Sequence, residues 1–173
     1  MKESAVENEK PNGLRGWLIL PAIFLVTTPF NIGATLVRDF LPIFRDGGWA
    51  LFTTPGSEFY HPYWAPGITL EVVGNILLIV FSVTLIFLFF SKSYRFPLLF
   101  IIFISANFIF VLCDTFLAYS IPALEARNDP GVLKELIRSV VYAAVWIPYF
   151  LISKRVKNTF VKDEPKHVAD VFS

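Results

Sequence analysis

Four long apolar runs constrain the fold of this chain more than any other feature of its sequence. Three of them continue for at least 18 residues without a charged side chain, and the fourth reaches that length only if it includes Arg138. A helix needs about 20 apolar residues to cross the hydrocarbon core of a bilayer. We therefore predict an all-α, polytopic membrane protein, a four-transmembrane-helix bundle with helices at about 16–37, 67–91, 96–121 and 132–153.

The amino-acid composition indicates that this chain folds in a lipid bilayer rather than in water. Hydrophobic residues make up 55% of the 173 positions, and 19 residues are Phe. Charged residues make up 17%, against about 25% in an ordinary soluble domain. A soluble fold of this size buries only part of its surface, so it would leave much of this apolar area in water.

The predicted domain organisation has three parts. A disordered polar tail covers residues 1–12, the transmembrane domain covers residues 13–162, and a second polar tail covers residues 163–173. Within the domain, residues 38–66 form a long connection rich in Phe, Tyr and Trp, which suit the headgroup layer. We predict that this aromatic interfacial loop lies on the membrane surface, with a short helix near 38–44. We favour an anchoring role, with a lid over a site or a docking surface as alternatives.

Basic residues indicate the orientation, because they collect in cytoplasmic segments. The two tails and the short second connection hold ten of them: Lys2, Lys10, Arg15, Lys92, Arg95, Lys154, Arg155, Lys157, Lys162 and Lys166. The opposite side holds five, which are Arg38, Arg45, Arg127, Lys134 and Arg138. We predict that both termini are cytoplasmic. Lys154, Arg155 and Lys157 act as a topology anchor or bind anionic lipid headgroups.

Several function classes lack support in the sequence. A net charge of +1 gives no electrostatic basis for binding nucleic acid. The single cysteine, Cys113, and the distant pair His61 and His167 do not predict a metal site. No phosphate loop, dinucleotide fingerprint or nucleophile elbow occurs. We therefore expect neither an enzyme nor a resident cofactor.

Three ionisable residues fall within the predicted spans and need an explanation, since each costs about 3 kcal/mol at mid-helix. They are Glu71, Asp114 and Arg138. Asn75 lies one turn from Glu71, and Tyr142 one turn from Arg138, so each helix carries a polar stripe. Stripes of this kind normally face neighbouring helices. The sequence predicts an intramembrane polar cluster of these five residues.

We hypothesise that Arg138 bridges Glu71 and Asp114, because a guanidinium can serve two carboxylates. One cation against two acids leaves a surplus negative charge. Either one acid is protonated, or Arg38 contributes, or an exogenous cation or cationic ligand binds. We favour a structural clasp between helices, with a ligand or proton site and simple snorkelling as the alternatives.

Two stretches carry a resemblance to a known family. One is GLRGWLILPAI at residues 13–23, and the more specific one is WIPYFLISKRVKNTFV at residues 146–161. With four spans between them, they resemble the bacterial inner-membrane family known as domain of unknown function 2569, which includes the YdgK-like proteins. The resemblance covers about residues 13–162. It implies a bacterial inner (cytoplasmic) membrane location and no particular activity.

Two functions are compatible with this sequence. The first is a non-enzymatic protein that binds a membrane-protein partner, assembles with itself and contacts membrane lipids. The second is a small-ligand or ion- or proton-coupled transport or binding protein, which uses a polar site between helices two, three and four. We expect the first, because no chemistry-bearing motif is present.

Overall fold

Four long helices dominate the computed structural model, which describes residues 13–14, 16–126 and 129–161. We call them the first to fourth spans. Each is long and apolar enough to cross a membrane, and no strand occurs in the described ranges. Their bounds are Gly16–Arg45, Trp64–Phe90, Phe96–Ser120 and Pro130–Ile152.

An even number of spans places both ends of the chain on one side of the bundle. We call this side the tail face. The opposite side, which carries the connection 46–63 and the described residues 121–126 and 129, is the loop face. The predicted disordered tails, 1–12 and 163–173, lie outside the described residues. So do His167 and six of the basic residues used for orientation, which are Lys2, Lys10, Arg15, Arg127, Lys162 and Lys166.

The first span is longer than predicted. It continues past Val37 to Arg45, through a π-helical turn at Leu36–Phe40 and a final α-helical segment at Leu41–Arg45. The charged pair Arg38 and Asp39 is therefore helical, and the predicted loop 38–66 shortens to residues 46–63. That connection holds a short helix, Gly48–Thr53. The prediction ended the helix at the first charge, whereas a charge near the membrane boundary does not interrupt backbone hydrogen bonding.

Close packing between neighbouring spans orders the bundle. The first span packs on the second, the second on the third and the third on the fourth. Between the second and third spans, the ring of Phe110 lies over Gly74, where a Cβ atom would come 2.2 Å from Phe110 Cε2. Gly74 thus lets an aromatic ring approach the helix backbone, as small residues do in membrane interfaces.

An aromatic core fills the tail half of the bundle. Phe100 is fully buried, with its ring centroid 5.3 Å from that of Phe96 and 4.6 Å from that of Phe150. Phe160 joins from beyond the fourth span, 4.8 Å from Phe96. Such tilted and offset ring pairs stabilise a packed core beyond simple contact.

The outer surface of the spans is apolar. Between 17% and 28% of the residues in the most apolar window of each span are buried. Large side chains such as Phe30, Phe87 and Phe116 are more than half exposed. Contiguous apolar surface on this scale is incompatible with water, so lipid is the environment in which this fold is stable.

The two ends of the described chain meet at the tail face. A short helix, Lys154–Thr159, follows the fourth span, and the Ser153 side chain caps its start. The Thr159 hydroxyl donates to the Gly13 carbonyl over 3.4 Å. At Gly16, which has φ +65°, a Cβ atom would lie 2.9 Å from a guanidinium nitrogen of Arg155. These contacts close the tail face.

Candidate functional site

A cavity of about 600 Å³ opens at the loop face. The end of the first span, the second and third spans and both loop-face connections contribute to its wall. Its lining includes three acids, Asp39, Glu71 and Asp114, and four aromatic residues, Phe40, Phe52, Phe59 and Trp64. Its size falls within the range of small-molecule sites.

Glu71 and Asp114 meet at the floor of this cavity. Their carboxyl groups, one from the second span and one from the third, line the same cavity and are close enough to interact electrostatically. The Asn75 side chain donates to Glu71 Oε2 over 3.0 Å, one helical turn below. Glu71 Oε1 is buried and meets no N–H or O–H donor among the described residues. The structure therefore brings together three members of the predicted polar cluster.

The prediction that Arg138 bridges Glu71 and Asp114 is wrong. Arg138 donates instead to both oxygens of Glu135, over 2.5 and 2.7 Å, within its own helix. This partner lies three residues earlier, a spacing that places side chains side by side on a helix. Because Glu135 lies on the same helix as Arg138, the two side chains meet without any contact between helices. This local pair takes the place of the predicted clasp to Glu71 and Asp114.

Arg38 is not available to Glu71 and Asp114 either. Its guanidinium forms a two-pronged ion pair with the neighbouring Asp39, over 2.8 and 2.9 Å. Each of the two arginines considered in the sequence thus neutralises a different acid. Glu71 and Asp114 remain as two neighbouring carboxyl groups on the cavity lining.

We predict that Arg138→Ala changes the stability of the protein by no more than about 0.5 kcal/mol, because its ion pair lies within one helix and joins no two spans. The measurement is the free energy of unfolding in detergent micelles. Lys134→Ala, on the same helix, is the matched control. A loss several times larger than that of the control would contradict this view and restore the interhelical clasp.

Aromatic side chains form the wall of the cavity opposite the acids. The rings of Phe52 and Trp64 lie 4.7 Å apart, which ties the short loop helix to the start of the second span. Trp64 Nε1 is buried without a hydrogen-bond acceptor among the described residues. The loop thus contributes part of the cavity wall, and its roles as a membrane anchor, a lid or a docking surface stay predictions.

Tyr142 and Arg138, the remaining members of the predicted cluster, lie elsewhere. They line a second, smaller cleft, of about 280 Å³, between the first, third and fourth spans. Asn107, which shares a face of the third span with Asp114, lines this cleft as well. The five predicted residues are therefore divided between two sites.

Sequence reasoning missed Asp39 and Glu135. Glu135 could have been found, because a Glu three residues before Arg138 is a standard helical ion pair. Asp39 could have been found only by extending the first helix through Arg38. In the described residues, no group of three or more His, Cys, Asp or Glu side chains is arranged to hold a metal ion.

The basic residues of the tail helix differ in their surroundings. Lys154 and Lys157 are exposed, whereas Arg155 is partly buried and packs over Gly16. Val156 and Thr159 form the buried side of the same helix. Lys154 and Lys157 are therefore free to reach headgroups, while Arg155 contributes to closing the tail face.

The family of the chain follows from a comparison with family models. The model described as "Protein of unknown function (DUF2569)" matches residues 11–161, which is most of the chain. The chain belongs to this family. The expected membership of this family is confirmed, and the structure of the chain has four helices long and apolar enough to cross a membrane. No curated protein and no solved structure matches the chain.

Proposed function

We propose that this DUF2569 protein is a membrane-embedded binding protein for a small organic cation, which enters the cavity from the loop face. One observation carries the proposal. Glu71 and Asp114 face each other on the cavity lining, while Arg38 and Arg138 are paired with other acids. The compensating charge for the two carboxyl groups therefore has to come from a proton or a bound cation.

The electrostatics favour a cation over any other ligand charge. Two neighbouring carboxylates in surroundings of low dielectric constant do not both remain ionised without a counterion. The third acid of the lining, Asp39, is already neutralised by Arg38. A ligand that brings one positive charge, while the two carboxyl groups keep one proton between them, restores neutrality at the floor of the cavity.

The donors and acceptors favour an ammonium group in particular. Glu71 Oε1 lacks a donor among the described residues, and an ammonium N–H supplies one. Charge-assisted hydrogen bonds of this type are roughly twice as strong as neutral ones. The aromatic wall, in which the rings of Trp64 and Phe52 are tilted against each other, suits the cation electrostatically and accepts an apolar body. The ligand class is therefore a primary amine on an aromatic or aliphatic group.

The shape of the bundle favours binding over passage through the membrane. The tail half is filled by the aromatic core around Phe96, Phe100 and Phe150. Contacts of Thr159 and Arg155 close the tail face beyond it. A ligand that enters from the loop face meets packed side chains below Asn75.

For the location we propose the bacterial inner membrane, with both termini cytoplasmic. The excess of basic residues in the tails and the short second connection supports this orientation. In this arrangement the cavity faces away from the cytoplasm. The ligand would then be an extracytoplasmic amine.

We predict that phenethylammonium binds to the purified protein in detergent micelles and that Glu71→Gln weakens this binding by about 10- to 100-fold. The substitution keeps the size of the side chain and removes its charge, and a hydrogen bond to a charged group contributes about 1.5–3 kcal/mol. Isothermal titration calorimetry measures both affinities. The matched control is Glu58→Gln, an exposed acid of the same loop face.

A neutral isostere separates charge recognition from apolar binding. 2-Phenylethanol has the same ring and chain but no charge, and it should bind at least tenfold more weakly than phenethylammonium. Equal binding of the two compounds, or equal binding by wild type and Glu71→Gln, would refute a cation site.

Partner binding or self-assembly remains the second candidate. Exposed apolar surface on the spans is compatible with it, but lipid covers such surface equally well. We place it second because the cavity gives the cation hypothesis a defined site. Crosslinking in native membranes tests it, since a strictly monomeric, unpartnered protein would argue against it.

A further inference from the structure

The second cleft lies at membrane depth between the first, third and fourth spans. Tyr142 is roughly 18 Å along the fourth span from Pro130, so the cleft lies well within the hydrocarbon layer. The described parts of the first and fourth spans meet mainly through side chains here, with the rings of Phe24 and Tyr142 4.2 Å apart. Side chains, rather than close backbone packing, therefore bound the cleft between these two spans.

The lining of this cleft is polar although its surroundings are apolar. It includes the hydroxyls of Thr28, Ser139 and Tyr142 and the carboxamides of Asn31 and Asn107. Thr28 and Ser139 donate to carbonyls of their own helices, over 2.7 and 2.8 Å. Their protons are engaged, as is usual for hydroxyls in membrane helices.

Tyr142 differs from these residues. Its hydroxyl oxygen is buried and has no hydrogen-bond partner among the described residues. A buried hydroxyl without a partner is costly in hydrocarbon, and most buried polar groups in native proteins are paired. The position of Tyr142 on the cleft lining suggests that the missing partner comes from outside the chain.

The charge of the cleft is balanced. Its one acid and one base, Glu135 and Arg138, form an ion pair with each other. The remaining polar groups are hydroxyls and carboxamides, which bind neutral oxygen atoms well. The cleft therefore differs from the loop-face cavity, where facing acids require a cation.

We propose that this cleft binds a lipid-soluble molecule with an apolar tail and a neutral head that carries carbonyl or hydroxyl oxygens. The Tyr142 hydroxyl donates to an oxygen of the head, the carboxamides of Asn31 and Asn107 supply further hydrogen bonds, and the tail remains in the lipid. This site is separate from the proposed cation cavity. Its occupant reaches it through the membrane rather than from the loop face.

The test is the melting temperature of the full chain in detergent micelles with added amphiphiles. Two probes represent the two sources of such a head: a decyl-substituted benzoquinone for carbonyl oxygens and a decanoyl monoglyceride for hydroxyl oxygens. Decylbenzene has a comparable tail without the oxygens. We expect at least one oxygen-bearing probe to raise the melting temperature in a saturable way, and the probe that does so identifies the head chemistry. Decylbenzene should have no such effect.

Tyr142→Phe removes only the hydroxyl and keeps the ring that packs on Phe24, so this variant should fold. The probe concentration at half-effect should rise roughly tenfold, as expected for one lost hydrogen bond. Tyr149→Phe, on the same helix and outside the cleft lining, should behave as wild type.

The proposal is overturned if decylbenzene acts like the other two probes, if neither oxygen-bearing probe has an effect, or if Tyr142→Phe responds to the probes as wild type does. Glu71→Gln should leave these results unaltered, which separates this site from the cation cavity.

Discussion

Phe100→Ala should destabilise the protein in detergent micelles by roughly 2 kcal/mol. The side chain is fully buried between Phe96 and Phe150. Lipid tails are as apolar as the protein interior, so the loss comes mainly from the void and its missing contacts. A void on the order of 100 Å³ at about 24 cal/mol per Å³ gives this value.

The measurement for Phe100→Ala is reversible unfolding in mixed micelles, followed by Trp fluorescence. Phe87→Ala is the matched control, because Phe87 is 74% exposed on the second span and contacts lipid rather than protein. Its free energy of unfolding should change by less than about 0.5 kcal/mol. Equal losses in the two variants would mean that the aromatic core does not hold the tail half together.

Gly74→Ala should destabilise the packing of the second span against the third by about 1–3 kcal/mol, the usual cost of overpacking. The new methyl group would lie 2.2 Å from Phe110 Cε2 and 2.9 Å from Cδ2. A flat ring cannot yield as a flexible chain does, so the helices must move apart or the ring must leave its position. The free energy of unfolding in micelles measures the loss.

Gly33→Ala is the matched control for Gly74→Ala. Gly33 is also helical, but nothing lies within 4 Å of a Cβ atom built on it. This substitution should be neutral or should stabilise the protein by up to about 1 kcal/mol, since Ala favours the helix. Adding Phe110→Leu to Gly74→Ala should recover part of the lost stability. A stable Gly74→Ala protein, or a double variant without recovery, would contradict the packing described between these residues.

The four spans could be predicted from the sequence because length and hydropathy alone decide whether a helix crosses a membrane. The extension of the first span to Arg45 could not be predicted in this way. The apolar run ends at Arg38, whereas the helix continues to Arg45, because charged side chains near the membrane boundary do not interrupt backbone hydrogen bonding. The packing of Phe110 on Gly74 also escapes sequence reasoning, because it depends on which faces of two helices meet.

The candidate site was predictable to the extent that helical periodicity determines it. Glu71 and Asn75 share a face and are hydrogen-bonded, and Asp114 is a costly acid that needs a neighbour. The acid with which Arg138 pairs was not predictable. Arg138 has an acid on its own helix and another one across the bundle, and only the distances decide in favour of Glu135. The contribution of Phe52 and Phe59 to the wall depends on how the loop folds back.

The π-helical turn at Leu36–Phe40 changes the direction in which the side chains after it point. Such a turn accommodates an additional residue, which rotates everything after it by about 100° about the helix axis. Phe40 and Ile43 line the cavity, whereas Phe44 stacks on Trp49 with ring centroids 5.5 Å apart. The first span thus turns one side toward its neighbours in the bundle and another side toward the cavity, without a break in the helix.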